Sequence, residues 1–262
     1  MSVKESFVKR RRFVGVLIAL LVTLGLSRVN FAQTAPPRSP SDTVREFYNA
    51  MRERRIREAF ALSIWKAAIE GLKPDDFADL QPDFEKAAGK IPDKVEITGE
   101  QISGNLATVF MKVPNEDDPA KVEAAPIPLM LVNGQWIIGD KDNLEIVRKA
   151  GNRFFFEARI ETHHTDVEAL MKRILVVQLA YSQNHNGLFA DLPTLISIGY
   201  MPKDIEGIET TGYHFHLSLG KDAKSYIAGA EPAQYGRSGR LSYSIDQTGI
   251  FKSADNGGTP LK

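Results

Sequence analysis

The apolar residues of this chain change their period twice, each time from a helical repeat to the alternation of a strand. Val44, Phe47, Tyr48 and Met51 recur at i, i+3, i+4 and i+7, the stripe of an amphipathic helix. Ser39, Pro40 and Asp42 supply its start: an N-cap, a first-turn proline and a capping acid. Ile56, Ala59, Phe60 and Ser63 place a second helix over 55–69, and an acid-rich third covers 74–88. The pattern then alternates: Val95 and Ile97, then Ala107, Val109, Met111 and Val113 behind the turn Gly104-Asn105. Strands at 128–132 and 135–139 flank Asn133-Gly134, the strongest short hairpin signal. The second change begins at Thr165-Asp166-Val167-Glu168, which reads as a capping box. Val167, Leu170, Met171, Ile174, Val177, Gln178 and Tyr181 follow as one stripe, and Asn184-His185-Asn186-Gly187 stops it. Strands are expected near 212–219, 225–230, 240–245 and 249–252. Helices first and strands after, twice over, predict an α+β chain of two small domains, each with helix packed on an antiparallel sheet.

Those domains are expected behind a targeting segment. Lys4, Lys9, Arg10, Arg11 and Arg12 form a basic start, and Phe13 to Leu26 is an uncharged apolar run. Asn30-Phe31-Ala32 offers a cleavage site before Gln33, completing a three-part signal peptide over 1–32. The apolar run would make a helix of roughly 21 Å, short for a hydrocarbon core of ~30 Å. A cleaved leader is therefore favoured over an uncleaved anchor. Arg10-Arg11-Arg12-Phe13-Val14 also fits a twin-arginine signal, with general secretion as the favoured route. The expected location is exported, periplasmic or extracellular, with the membrane touched only through an uncleaved leader.

Charge narrows the partners. The whole chain carries 33 basic and 33 acidic residues and no cysteine. Residues 1–32 hold six of the basic and one of the acidic groups, so removing them leaves a net charge of −5. A net acidic chain disfavours nucleic acid and anionic membrane surfaces. Without cysteine there is no disulfide, thiolate nucleophile or Cys-type zinc site. No phosphate loop, nucleophile elbow or dinucleotide fingerprint occurs, and no cofactor is expected.

Between the leader and the first helix lies a Pro-rich linker, 33–40. The domain after it, 41–141, opens on SPSDTVREFYNAM and closes on VNGQWIIGD. In these it resembles a small nuclear-transport-factor-2-like domain, of the lumazine-binding-like secreted kind without known activity. The resemblance implies a curved sheet wrapped around a helix, often with an open conical pocket. Phe47, Trp65, Phe110 and Trp136 are the candidate pocket residues. No histidine precedes residue 163, so a general base there would have to be a carboxylate. Asp75, Asp76, Asp79 and Asp83 read as a solvated helix face, and Glu116-Asp117-Asp118 as a loop.

Residues 142–164 read as a helical connector whose Phe154, Phe155 and Phe156 pack on one of the domains. In 165–262, VEALMKRILVVQLAYSQNHNGLFADLPTL, GYMP, TGYHFHLSLG, SYIAGAEP and LSYSIDQTGIFKS follow in order. This part is similar to the globular heads of type IV pilin-like proteins and general-secretion pseudopilins. It lacks their apolar stem helix and the peptidase site before it. The resemblance implies an exported, non-enzymatic protein that contacts other proteins.

His163 and His164 are expected to be exposed ahead of the second long helix, and His185 in a polar turn. His214 and His216 are weak metal candidates, since side chains two apart on a strand share a face. They lack a third ligand nearby, where zinc wants three or four. Tyr213, Phe215, Leu217 and Leu219 should face the core. The functional expectation is a non-catalytic interaction or scaffold protein with partners in the cell envelope, extending to pilus-like or secretion machinery. The alternative is a small-ligand binder or pocket hydrolase or isomerase using the first domain.

Overall fold

The computed structural model describes residues 38–114, 122–208 and 210–261. The leader, the linker up to residue 37 and the acidic loop Glu116-Asp117-Asp118 lie outside the described residues. Four helices come first: α1 (Pro40–Arg52), α2 (Ile56–Ala61), α3 (Lys66–Glu70) and α4 (Pro74–Gly89). An antiparallel meander follows, β1 (Glu96–Ser103), β2 (Leu106–Pro114), β3 (Val122–Val132) and β4 (Gln135–Ile138), in spatial order β1-β2-β3-β4. Next come α5 (Lys141–Ala150), α6 (Phe154–Asn184) and α7 (Leu192–Ser197). A second meander closes the chain: β5 (Tyr213–Leu219), β6 (Tyr226–Pro232), β7 (Leu241–Asp246) and β8 (Phe251–Asp255). The chain is α+β, with two separate four-stranded antiparallel sheets. Among the described residues no helix is long and apolar enough to cross a membrane.

In the first lobe α1 is the middle layer. Ser39 Oγ accepts from the Asp42 N–H at 3.1 Å and Pro40 sits in the first turn, fixing where the helix begins. Val44 packs on the sheet with Ala107, Val109, Met111 and Leu129. Phe47, Ala50 and Met51 turn toward α2 and α4, meeting Ile56, Phe60, Leu80 and Phe84. Asn133 and Gly134 both take positive φ, 51° and 77°, the backbone of a two-residue hairpin turn.

The single helix expected over 55–69 is two helices. The chain between them, at Ser63, pairs in parallel with Ile138 of β4. Ile64 N–H donates to Ile138 O, and Ile138 N–H donates to Leu62 O, each at 2.9 Å. This trades helical hydrogen bonds for cover on an open sheet edge, which would otherwise present unpaired backbone groups.

The larger departure is α6. The capping box at Thr165 begins no helix, and no break separates connector from second domain. Helix α6 runs 31 residues through both. Thr162 and Thr165 instead donate their hydroxyls to the carbonyls of Ala158 and Glu161, four residues back, at 3.0 and 3.1 Å. Threonine in mid-helix bonds this way, and the same sequence caps only where the chain is already broken. The break falls earlier, at Gly151 (φ 54°), where α5 ends and one 3-10 turn precedes Phe154.

In the second lobe Val167, Met171, Ile174 and Gln178 form the buried face of α6. They pack with Leu195, Met201, Tyr213, Tyr226, Ala228, Tyr243 and Ile245 in one cluster. Phe215, Leu217 and Leu219 pack on it from β5. Gln178 is buried but satisfied: its amide donates to Ala190 O at 2.6 Å and accepts from Ala190 N–H at 3.0 Å.

Candidate functional site

The first lobe holds a cavity of about 420 Å³ between α1, β3–β4 and α5. Phe47 and Tyr48 reach it from α1, Ile64 and Trp65 from the α2–α3 turn, and Ile127, Pro128 and Ile138 from the sheet. Asn143, Ile146 and Val147 of α5 and Phe154 complete the wall with Gly139 and Asp140. Gly139 is required there: its φ is 122°, and a Cβ on it would lie 2.5 Å from Ile64 Cγ2. Two of the four pocket residues expected from the sequence, Phe47 and Trp65, line the cavity. The other two are not brought to it. Trp136 packs on the sheet-side cluster. Phe110 lies between Val109 and Met111, both turned into the core, so it takes the opposite face of β2.

Polar groups at the cavity are few. Asp140 caps α5, its Oδ1 accepting from Asn143 N–H at 2.9 Å and its Oδ2 from Asn143 Nδ2 at 2.7 Å. Those bonds, from the Asn143 backbone first and its side chain second, hold the carboxyl below the ordinary aspartate range. Tyr48 is half-buried, and burial pushes its phenol up. Its hydroxyl has no hydrogen bond within the described chain. Tyr48, Asn143, Ile146 and Phe154 were not among the expected pocket residues, because residues 142–164 read as a connector and not as a wall of the first lobe. The readable signal was Asp140-x-x-Asn143, a helix start directly after the last strand.

A second constellation joins the lobes. The acid-rich helix α4 is not merely a solvated face. Asp79 Oδ1 meets Arg159 Nη1 at 3.0 Å, and Asp83 Oδ2 meets Arg159 Nε at 2.6 Å. From the β6–β7 loop, Arg237 reaches Asp79 at 2.5 Å and Asp76 at 2.6 Å. Burial raises the Asp79 carboxyl, but Arg159 and Arg237 outweigh it, and the net shift is downward. Arg240 makes a two-pronged pair with Glu157 of α6, both contacts 2.6 Å. That fork leads the causes that hold Glu157 low. Beneath these pairs lies Phe156, 2% exposed. The guanidinium carbons of Arg237, Arg153 and Arg159 sit 4.9, 5.1 and 5.5 Å from its ring centre, within cation–π range. Phe155 stacks on Phe60 at 5.3 Å and meets Phe84 edge-on at 5.0 Å. The three phenylalanines therefore pack on the first lobe, Phe154 at the cavity wall and Phe155 and Phe156 among its helices, with Phe156 also under Arg237.

The histidines divide differently from expectation. His163 and His164 lie inside α6, half-buried against the β6–β7 loop, and are not an exposed pair before a helix. His163 Nδ1 is 2.8 Å from Ser238 O. His164 Nε2 accepts from the backbone N–H of Arg240 at 3.1 Å and of Leu241 at 3.3 Å. Burial leads the causes that pull its pKa below 6.5. His185 stacks on Tyr181 with ring centres 3.7 Å apart. His214 is exposed, while His216 lies across Gly229 with Nδ1 3.2 Å from Glu231 Oε2. Among the described residues no group of three or more His, Asp or Glu is placed to hold a metal.

No protein-family model matches the sequence, and no curated protein matches it significantly. Among solved structures, a Campylobacter jejuni protein named as a candidate nuclear-transport-factor-2-like transpeptidase is 11% identical, with a TM-score of 0.28. It is covered in full, over 40% of this chain. A de novo designed protein of the same fold is 16% identical with a TM-score of 0.24, over 44% of this chain and 98% of the design. At these scores neither likeness assigns an activity to the chain.

Proposed function

We propose that this is an exported, non-catalytic interaction protein of the bacterial cell envelope, a two-lobed scaffold whose second lobe engages pilus-like or secretion machinery. One observation carries the reading: α6 passes unbroken through both lobes and is clamped by Arg159, Arg237 and Arg240. A body braced this way keeps two sheet surfaces at a fixed separation, which suits presentation of contacts more than a domain motion around substrate. The resemblances to a nuclear-transport-factor-2-like domain and a stemless pilin-like head belong to this proposal, as does export by the leader. The test is photo-crosslinking in intact cells. Residues bearing the crosslinker at Val176 and Ile227, exposed on the second lobe, should couple to a pilus or secretion subunit in the envelope fraction. A cytosolic protein, or one that couples to no such subunit, would refute the reading.

The cavity favours a second reading, a small-ligand binder using the first lobe. It speaks for binding more than for hydrolysis or isomerisation. A general base near neutral pH needs a raised pKa and a free oxygen. Asp140 has a lowered one, with both oxygens committed to the start of α5.

A further inference from the structure

The cavity in the first lobe combines three properties that together select a ligand class. Its volume of about 420 Å³ falls within the roughly 300–1,000 Å³ of small-molecule sites. Its wall is aromatic and branched aliphatic: Phe47, Trp65, Ile138, Ile146 and Phe154. Among the described residues no Lys, Arg or His lines it, and Asp140 is its one charged group. An anionic ligand would meet that carboxylate without a counter-ion, and placing an unpaired charge against apolar wall is costly. A cationic ligand would meet Asp140 only in its solvent-exposed cap at the start of α5, where water screens the attraction. What remains is a neutral molecule. Among the described residues the Tyr48 hydroxyl has no hydrogen bond within the chain and can serve it, with the Trp65 indole N–H and the Asn143 side-chain oxygen also on the wall.

We infer that this cavity binds an uncharged, ring-containing apolar ligand carrying one hydrogen-bonding group, held by the aromatic wall and anchored on Tyr48. The inference rests on the small-ligand reading and makes it specific. Rings match the wall because Phe47, Trp65 and Phe154 can stack or meet a ring edge-on. The anchor orients the ligand and contributes little affinity, since a net hydrogen bond is worth about two- to tenfold in binding.

Two dyes with one ring system separate the parts of this claim. N-phenyl-1-naphthylamine is neutral and carries one N–H; 8-anilinonaphthalene-1-sulfonate is the same skeleton with a negative charge. Titrated into the full chain, the neutral dye should bind saturably at one site, at least about tenfold more tightly than the sulfonate. Bound dye should quench Trp65, and a Trp65→Phe variant should lose most of that quenching. Ile146 is 58% exposed, so substitutions there leave the core intact. Ile146→Trp should fill the mouth and weaken the neutral dye at least about tenfold, whereas dye held by the apolar leader would not respond. Ile146→Arg supplies the missing counter-ion and should shift preference toward the sulfonate. Tyr48→Phe should weaken the neutral dye by about two- to tenfold. Absence of saturable binding by either dye would sink the small-ligand reading itself. Saturable binding in which the sulfonate equals or exceeds the neutral dye would sink the ligand class alone. Binding indifferent to Ile146→Trp would place the dye elsewhere and overturn the site.

Discussion

The two lobes are built from the same parts, helix and four-stranded meander, yet they close their cores differently. In the second lobe the stripe of α6 and the inner faces of β5–β7 form one continuous cluster from Val167 to Ile245. In the first lobe the apolar residues fall into three clusters: one among the helices, one between α1 and the sheet, one around Ile64, Ala68 and Val147. The cavity lies where the three meet, and its wall draws on each of them: Phe47 from the first, Ile127 from the second, Val147 from the third. A long unbroken helix lays one stripe on one sheet and closes a single cluster. Four helices with turns between them, two of them only five and six residues long, present several faces, and those faces do not fill the corner they share. The difference teaches that a cavity here arises from helix breaks, at Ser63 and Gly151, more than from a shortage of apolar residues.

The same truncation should therefore have very unequal consequences in the two places. Ile174 is 1% exposed in the closed cluster, so Ile174→Ala loses buried methyl groups and leaves a void. Chemical denaturation should show a loss of about 2–5 kcal/mol. A loss under about 1 kcal/mol would mean that the second lobe relaxes around the void and tolerates lost packing as well as the cavity wall of the first does.

The clamp between the lobes comes next in size. Arg159 has a side chain only 11% exposed and serves Asp79, Asp83 and the carbonyl of Asp79. Arg159→Ala strands acids that are partly out of water, and a cost of about 2–3 kcal/mol is expected. Arg237, at 40% exposed, should cost about 1 kcal/mol or less as Arg237→Ala. Equal losses from the two arginines would show that burial does not set the strength of this clamp. A double-mutant cycle with Asp79→Ala isolates the coupling.

How much of this the sequence disclosed follows the range of the interactions. Alternation at Tyr213, Phe215, Leu217 and Leu219 told which face of β5 lies inside, because a strand's period depends only on its own backbone. Asn133-Gly134 was legible for the same reason. The stripe of Val167 to Tyr181 was legible, but the start of its helix was not. Thr165-x-x-Glu168 signals a cap only if the chain is broken before it, and that depends on Gly151, fourteen residues earlier. The candidate site was half legible. Phe47 and Trp65 advertise themselves by size, whereas Tyr48 and Ile146 matter only because α5 folds over β4. The acids of α4 were misread because their partners, Arg159 and Arg237, lie about 80 and 160 residues away along the chain.

Acid should loosen the two sides of the α6–loop contact in a fixed order. His164 accepts two backbone N–H bonds on its unprotonated Nε2, and its folded-state pKa lies below 6.5, with burial the leading cause. Nearby Glu161 opposes that shift, while Arg240 and His163 add to it. The unfolded chain thus takes up the proton first. Stability from this group is complete above about pH 6.5 and falls as pH drops from there toward the folded pKa. Asp79 and Glu157, whose folded pKa values are lowered, hold their contribution until pH falls through the carboxylate range. Urea midpoints at pH 7.5, 6.5 and 5.5 should decline for the native chain and stay nearly level for His164→Gln. A decline of equal size in both would assign the acid response to other groups.

The smallest expected effect returns to the cavity wall. Ile146→Ala removes the same methyl groups as Ile174→Ala, but from a side chain 58% exposed beside space that is already open. No void is created and little area returns to water, so the change in stability should stay within about 0.5 kcal/mol. Affinity for the neutral dye should nonetheless fall, because the lost contacts are with the ligand and not with the fold. A stability loss above about 1 kcal/mol would mean that Ile146 packs against the core in solution. The first lobe would then close its corner as the second does, and the contrast between them would fail at that residue.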